Sequence, residues 1–373
     1  MARILLGWEL GGGNGHHVKL NTIAARLAEQ GHHVVFATQH LNGWPAGAEI
    51  WQAPLWPAQV TTLARAAATA PATLGDIFVN LGFGEAGVAD VVLAAWDRLL
   101  AAIRPDAVAS EFAPGLTLAA FGRVPVLALG TGFTLPPADM SAFPSLSGQP
   151  PAHPEAPLLD TLNRALTRIG RPGREALPAM LLADAALSSV FAELDPYAAI
   201  RRGGHGAPMA TRVDDPSGPR DEIFVYMNGP QPRPAGFWQG LAMCGRPVRV
   251  YDPRLSRGDR AKLEAAGLTV ETRPTAFTRI AQRSRFVLSH CGLGFTCSAL
   301  AAGLPHVVAP YDLEKQLIAH ALEQHGLGVR VAAASYDAEA FAALLARVDT
   351  DEALFARVTA AATGFAAATR TPR

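Results

Sequence analysis

Short apolar runs alternate with longer segments whose apolar residues recur every three or four positions, which predicts alternating strands and amphipathic helices. Near the amino end, Arg3 to Trp8 predicts a buried strand, and Val34 to Ala37 predicts a second one. The helix predicted between them ends at Gly31. Its apolar face consists of Leu20, Ile23, Ala24 and Leu27. Strand, helix and strand in this order form a βαβ unit, which implies a parallel sheet.

The same alternation continues through the first half of the chain. An amphipathic helix is predicted up to Ile103, where Pro105 stops it. Strands are predicted at 107–109 and 124–129. The proline-rich stretch 134–157 predicts a long irregular loop.

A second series of elements begins after the stretch 201–221, which is rich in Gly, Pro, Asp and Arg. This stretch has little apolar periodicity and predicts a linker, so we place the domain boundary near 212. The strands predicted after it are 223–227, 248–251, 269–271, 286–289 and 306–309, and the helices are 294–302, 314–325 and the alanine-rich tail from Asp337. The sequence therefore predicts two α/β domains, 1–212 and 213–373, each a doubly wound, Rossmann-like parallel sheet. Whether the last helix packs back on the first domain is left open.

Composition and charge agree with two globular domains and exclude several partners. Of the 373 residues, 49% are hydrophobic, and Lys plus Arg equals Asp plus Glu at 32 each. No positive excess therefore favours nucleic acid or an anionic membrane. Neither a membrane span nor a signal peptide is expected, because no apolar run is long enough. Three cysteines without CxxC spacing favour neither disulfides nor a zinc site, so we expect a cytoplasmic protein.

The segment from Ser289 to Thr296 lies where a predicted strand turns into a helix. Gly292 and Gly294 let the backbone approach an anion closely, and the helix start offers free N–H groups. His290 and Thr296 add side-chain donors. This pattern is typical of a diphosphate site. An ordinary strand-to-helix turn with a structural histidine is the alternative interpretation of the same residues.

The residues of this turn resemble the donor-site motif of the UDP-glucuronosyl/glucosyltransferase superfamily, in its bacterial form. The matching residues are His290, Gly292, Gly294 and Thr296, followed by Ala302-Gly303-Leu304-Pro305 and Lys315-Gln316. In the first half, Gly15-His16 and Gly31-His32 also follow the pattern of that superfamily. The resemblance implies a GT-B fold, with two Rossmann-like domains facing a cleft, and inverting, metal-independent glycosyl transfer.

His16 is the residue expected to act as general base, because an acceptor hydroxyl is a poor nucleophile until its proton is removed. Glu111, at the end of a predicted strand, resembles the partner acid of the superfamily, which is more often Asp. Each residue also has a simpler interpretation, as a histidine bonded to a turn and as a solvated carboxylate. Gly13, Asn14 and Gly15 form a glycine-rich turn expected near the diphosphate or the acceptor.

Three positions depart from the superfamily pattern. Phe295 replaces a phosphate-binding Ser, and Ser298 replaces the Glu that grips the ribose hydroxyls. Ser298 therefore leaves open a dTDP donor beside a UDP donor. Lys315 replaces a sugar-facing Asp, so Glu314 and Gln316 are expected to contact the sugar.

The partners expected are thus a nucleotide-diphosphate sugar and a small-molecule acceptor, without a cofactor or metal. A homodimer, a nucleotide-sugar epimerase and an inactive sugar-nucleotide-binding partner protein are left open. A nicotinamide or flavin dehydrogenase is disfavoured, because the first turn lacks the third small residue and the second strand ends without an acidic residue. Four aromatic residues are candidates for an acceptor platform, with core packing as the alternative: Trp44, Trp51, Trp56 and Phe83.

Overall fold

The computed structural model describes residues 1–60, 70–213, 217–229, 233–331 and 337–369. The chain divides into two compact units. The first unit is Met1–Ser189 with Pro196–His205, and the second is Val190–Asp195 with Gly206–Arg373. The main crossing from one unit to the other therefore precedes the predicted boundary at 212, and a short earlier segment also joins the second unit.

The first unit is built on a six-stranded parallel sheet. Its strands are β1 (Arg3–Trp8), β2 (His33–Thr38), β3 (Glu49–Gln52), β4 (Ala107–Glu111), β5 (Val126–Gly130) and β6 (Ala185–Ser188), in the order β3-β2-β1-β4-β5-β6. The helices are α1 (Asn14–Glu29), α2 (Pro57–Val60), α3 (Leu74–Asn80), α4 (Val88–Ile103), α5 (Pro114–Ala120) and α6 (Glu155–Arg168). β1 and β4 lie side by side at the centre of the sheet, so the residues that follow them share one edge.

The second unit repeats this architecture with another six-stranded parallel sheet. Its strands are β7 (Glu222–Tyr226), β8 (Val248–Tyr251), β9 (Thr269–Glu271), β10 (Ser284–Ser289), β11 (His306–Val308) and β12 (Gly328–Arg330), in the order β12-β11-β10-β7-β8-β9. The helices are α7 (Ala235–Met243), α8 (Arg257–Ala265), α9 (Phe277–Arg283), α10 (Leu293–Ala301), α11 (Leu313–Gln324), α12 (Ala338–Thr350) and α13 (Glu352–Ala368). Within this unit α13 packs against α10.

Apolar contacts explain why 190–195 belongs to the second unit. Phe191 is buried in the core of that unit, and its ring lies 4.6 Å from the ring of Phe365 on α13. Val190 and Leu194 are buried in the same core. Because these apolar side chains are buried in the core of the second unit, the segment belongs to that unit, although residues of the first unit precede and follow it in the sequence.

Local signals set the ends of several helices. Thr73 and Asp76 form a capping box at the start of α3, and Asp312 accepts the Lys315 N–H at the start of α11. α4 ends at Ile103, and the next residue, Arg104, has a left-handed backbone (φ 51°) and precedes Pro105. None of the described helices is both long and apolar enough to span a membrane.

The structure decides between acceptor platform and core packing for two of the four aromatic residues. Trp56 and Phe83 stack on each other at 5.6 Å, and both are buried. Trp44 and Trp51 are only partly buried, and Trp44 packs against Phe36 at 4.6 Å. Trp56 and Phe83 are therefore core residues of the first unit, because together they remove a large apolar area from water.

Candidate active site

The candidate site of the first unit lies where β1 and β4 end. Glu111 is the last residue of β4 and pairs in register with Trp8, the last residue of β1. His16 is in the first turn of α1, which follows β1. His16 Nδ1 lies 2.8 Å from Glu111 Oε1. The structure thus brings together the two residues that the sequence predicts to be catalytic.

The contact with Glu111 fixes which ring nitrogen of His16 is free. A carboxylate only accepts hydrogen bonds, so Nδ1 carries the proton and donates it to Oε1. In the neutral ring Nε2 then holds the lone pair. The His16 side chain is 15% exposed, against 1% for Glu111, so a small molecule can reach the ring while the carboxylate stays out of water.

Neighbouring rings and one glycine hold the imidazole of His16 in place. It stacks on Trp8 at 5.3 Å and on Phe112 at 6.4 Å. Gly11 has a left-handed φ of 85°, and a Cβ there would lie 2.6 Å from His16 Nε2. Any larger residue at position 11 would be strained and would press on Nε2.

Lys19 is a member of this cluster that the sequence interpretation missed. Its Nζ lies 3.1 Å from both carboxylate oxygens of Glu111, and its side chain is only 9% exposed. Burial alone would raise the pKa of Glu111, but the Lys19 charge and the hydrogen bond from His16 outweigh it and lower the pKa below its usual value. The signal was present in the sequence, because Lys19 is three residues after His16 and so shares its helix face.

The other predicted residues of the glycine-rich turn stand at the start of α1. Gly13 precedes the helix in extended conformation, and Asn14 is its first residue. Gly13, Asn14 and Gly15 are exposed, and the space around both glycines is open. Their proximity to a ligand stays a prediction.

The second unit has a candidate site of its own, at the end of β10. His290 follows that strand and is buried, with Nδ1 3.4 Å from the carbonyl oxygen of Tyr226. Burial lowers the pKa of His290 to about 4, so the ring is neutral at pH 7. Nδ1 donates to the carbonyl, and Nε2 faces Gly292, where an added Cβ would lie 3.0 Å away.

Gly292 and Gly294 flank the first residue of α10 and keep the backbone accessible there. Gly292 caps the helix, and Gly294 is exposed. The first N–H groups of any helix have no partner within the helix, and they carry partial positive charge. The start of α10 therefore has the geometry of an anion site.

The hydroxyls of Thr296 and Ser298 point into the unit. Thr296 is fully buried and donates to Cys291 Sγ at 3.8 Å. Ser298 Oγ donates to the Gly294 carbonyl and accepts the Thr211 N–H, both at 2.8 Å. This geometry does not support the donor contacts expected of these two hydroxyls, because each is directed to a protein atom.

The residues at the start of α11 form a small charge cluster. Lys315 Nζ lies 3.0 Å from Asp312 Oδ2 and 3.0 Å from Glu314 Oε2. It also lies 5.5 Å above the ring of Tyr311, which stacks on His290. Gln316 is exposed. Glu314 is thus engaged by Lys315, whereas Gln316 faces water.

The sequence matches neither a protein-family model nor a curated protein. Among solved structures, the chain is similar to CalG4, the calicheamicin glycosyltransferase (TM-score 0.69, 18% identity, covering 99% of this chain and 94% of that one). It is also similar to glycosyltransferase VinC in complex with dTDP (0.68, 14%, 98% and 96%). A third similar structure is LpCGTa in complex with UDP (0.62, 14%, 99% and 96%).

The chain has the GT-B fold. The fold predicted from the sequence is therefore confirmed, with its two Rossmann-like parallel sheets. At these identities the likeness establishes the fold alone, so the chemistry has to be argued from the residues of this chain.

Arg233 is a second charged residue that the sequence interpretation of this GT-B chain missed. Its guanidinium lies 3.4 Å from the carbonyl oxygen of Ala309, just after β11. Together with Lys315 it helps to lower the pKa of His290, which places both cations near that ring. Only the fold brings these cations together, because Arg233 precedes α7 and Lys315 lies in the first turn of α11, far apart in the sequence.

The GT-B chain contains one Asp-x-Asp sequence, Asp349-Thr350-Asp351, a pattern that can hold a divalent cation. Asp349 accepts hydrogen bonds from Arg246 and Arg285, and Asp351 accepts the Leu354 N–H at the start of α13. Both carboxylates thus have structural partners. Within the described part of the chain, His, Cys, Asp and Glu side chains form no group of three that could hold a metal.

Proposed function

We propose that this chain is an inverting, metal-independent glycosyltransferase that moves a sugar from a UDP- or dTDP-linked donor to a small-molecule hydroxyl. The observation that carries the proposal is the contact of His16 Nδ1 with Glu111, which leaves Nε2 as a free base at the carboxyl edge of a GT-B sheet. Ligands of open α/β sheets bind at this edge. Solved proteins of the same fold are complexes with dTDP and with UDP, which supports the donor class.

In the proposed reaction, His16 Nε2 takes the proton of the acceptor hydroxyl as its oxygen attacks the anomeric carbon of the sugar. The bond from that carbon to the diphosphate breaks, and the nucleoside diphosphate leaves with the electron pair. Attack from the side opposite the leaving group inverts the anomeric centre. The ionised Glu111 then stabilises the imidazolium that His16 has become, since its oxygen accepts the Nδ1 proton.

The donor diphosphate is assigned to the start of α10 in the second unit. The first N–H groups of the helix, His290 and the nearby cations Arg233 and Lys315 would face its negative charge. A phosphate oxygen beside Nε2 of His290 would favour a proton there, because an anion stabilises the charged ring. Positive charge supplied by the chain in this way would replace a divalent cation.

The transfer is tested by incubating the protein with UDP-glucose or dTDP-glucose and a panel of phenolic and alcoholic acceptors. We expect a glycosylated product of inverted anomeric configuration, seen by mass spectrometry and proton NMR, at the same rate with and without EDTA. An epimerised sugar formed without any acceptor would instead indicate an epimerase, and donor binding without product would indicate an inactive binder. Loss of transfer in EDTA, restored by Mg²⁺, would disprove metal independence.

His290→Ala is expected to weaken binding of UDP-glucose and dTDP-glucose about tenfold, since it removes a hydrogen bond to a charged group. Titration calorimetry measures the affinity. The matched control is Thr296→Val, in the first turn of α10, because the Thr296 hydroxyl is directed to Cys291. It should bind the donor as tightly as the parent. Unchanged affinity of His290→Ala would place the diphosphate elsewhere.

A further inference from the structure

We propose that Lys19 is a positioning residue of the proposed transferase, which holds Glu111 in place and offsets its charge so that His16 stays a neutral base. The inference rests on the proposed function for its catalytic meaning. Its physical basis is the geometry of three side chains in the first unit.

The Lys19 ammonium contacts both oxygens of Glu111, so the carboxylate cannot rotate without breaking one of the two bonds. Nζ lies 3.1 Å from Oε1 and 3.1 Å from Oε2. Oε1 is the oxygen that also accepts the Nδ1 proton of His16. Lys19 therefore fixes the atom that orients the imidazole, although Lys19 is not itself seen in contact with the ring.

The charges of the pair are poorly screened because water is nearly excluded. The exposed fractions of the side chains are 9% for Lys19 and 1% for Glu111. In such surroundings an unpaired carboxylate would draw a proton onto its neighbour or take one itself. A protonated His16 has no lone pair on Nε2, and a protonated Glu111 stabilises an imidazolium less. Either change would remove the base at neutral pH.

The other groups around His16 do not take over this role. Its ring lies between Trp8 and Phe112, which carry no charge. His40 reaches the Trp8 ring at 5.5 Å, and among the residues that the structure describes, the titratable groups bonded to one another in this cluster are His16, Lys19 and Glu111. The net charge felt by His16 therefore depends on whether Lys19 balances Glu111.

The test compares Lys19→Met with Lys19→Arg by NMR titration of the histidine rings in the free protein, with His16→Gln identifying the His16 signal. Loss of the cation should raise the midpoint of the His16 titration by about one pH unit. Lys19→Arg keeps the charge and should stay close to the parent. The acid limb of the kcat/KM profile should move with the NMR midpoint.

A double variant, Lys19→Met with Glu111→Gln, removes both charges and guards against misfolding of the single variant. In this background the upward shift should disappear. An unchanged midpoint in Lys19→Met, or a double variant as shifted as the single one, would overturn the inference. If the titration shifts as expected but the parent transfers no sugar, the charge relation stands and the proposed function fails.

Discussion

His16→Ala is expected to lower kcat for sugar transfer by about 10²–10⁴-fold, the usual contribution of general-base assistance. Affinity for the donor nucleotide should stay within about twofold, because the donor is assigned to the second unit. Steady-state kinetics with any acceptor that the parent glycosylates, together with donor calorimetry, measure both quantities. The change removes Nε2, the lone pair that the contact with Glu111 leaves free.

His17→Ala is the matched control, since it removes the adjacent imidazole of the same helix. The His17 ring packs on Trp44 at 4.4 Å and contacts the amide of Asn21, away from Glu111. Its kcat should remain close to the parental value. A His16→Ala protein with near-parental kcat would remove the mechanism, and one that loses donor affinity instead would make His16 a phosphate ligand.

The periodicity of the sequence predicted most of the central strands. β1, β8 and β9 have the predicted bounds, and β10 begins two residues earlier than expected. Central parallel strands are buried on both faces, so they appear as uninterrupted apolar runs that are easy to recognise. The confirmed fold class follows largely from these runs.

The elements that the sequence did not reveal lie mainly at the sheet edges. β3, β6 and β12 are all terminal strands in their sheets, and they are three or four residues long. The first three residues of β6 are exposed, so the strand lacks the apolar run that predicts burial. β6 is a strand because its backbone pairs with that of β5, and its side-chain pattern does not indicate one.

The candidate site shows the same division between local and long-range information. His16 and Glu111 could be predicted because His16 follows one recognisable strand of the parallel sheet and Glu111 ends another. The inward direction of the Thr296 and Ser298 hydroxyls could not, since it depends on Cys291 and on the Thr211 backbone. A motif specifies which residue stands at a position, whereas tertiary contacts decide where its hydroxyl points.

The contribution of Glu9, a buried carboxyl group in the first unit, to the stability of the protein is expected to fall as the pH rises from about 4.5 to 7. Glu9 is fully buried, with Oε1 2.9 Å from the indole nitrogens of Trp56 and Trp96 and Oε2 2.7 Å from the Gly115 nitrogen. Burial raises the pKa of Glu9 to about 7, although these N–H donors favour the ionised form.

The sign follows from proton binding. Between the ordinary pKa of a glutamate, about 4.5, and the raised value of about 7, the folded state holds a proton on Glu9 that the unfolded state has released. The contribution of Glu9 to stability is therefore fully present below pH 4.5 and is lost as the pH passes 7. A difference of about 2.5 pH units corresponds to about 3 kcal/mol in the free energy of unfolding.

Urea unfolding of the parent and of Glu9→Gln between pH 5 and 8, followed by tryptophan fluorescence, measures this contribution. Glutamine keeps an acceptor for the two indoles but turns an amide nitrogen toward the Gly115 N–H, so Glu9→Gln should be less stable at pH 5. Because glutamine does not titrate, the stability gap between the two proteins should narrow by about 2.5 kcal/mol as the pH rises from 5 to 8. All other titrating groups are common to both proteins and cancel in the difference. A gap that stays constant from pH 5 to 8 would show that Glu9 is already ionised in the folded protein at pH 5, held so by its N–H donors rather than neutralised by burial.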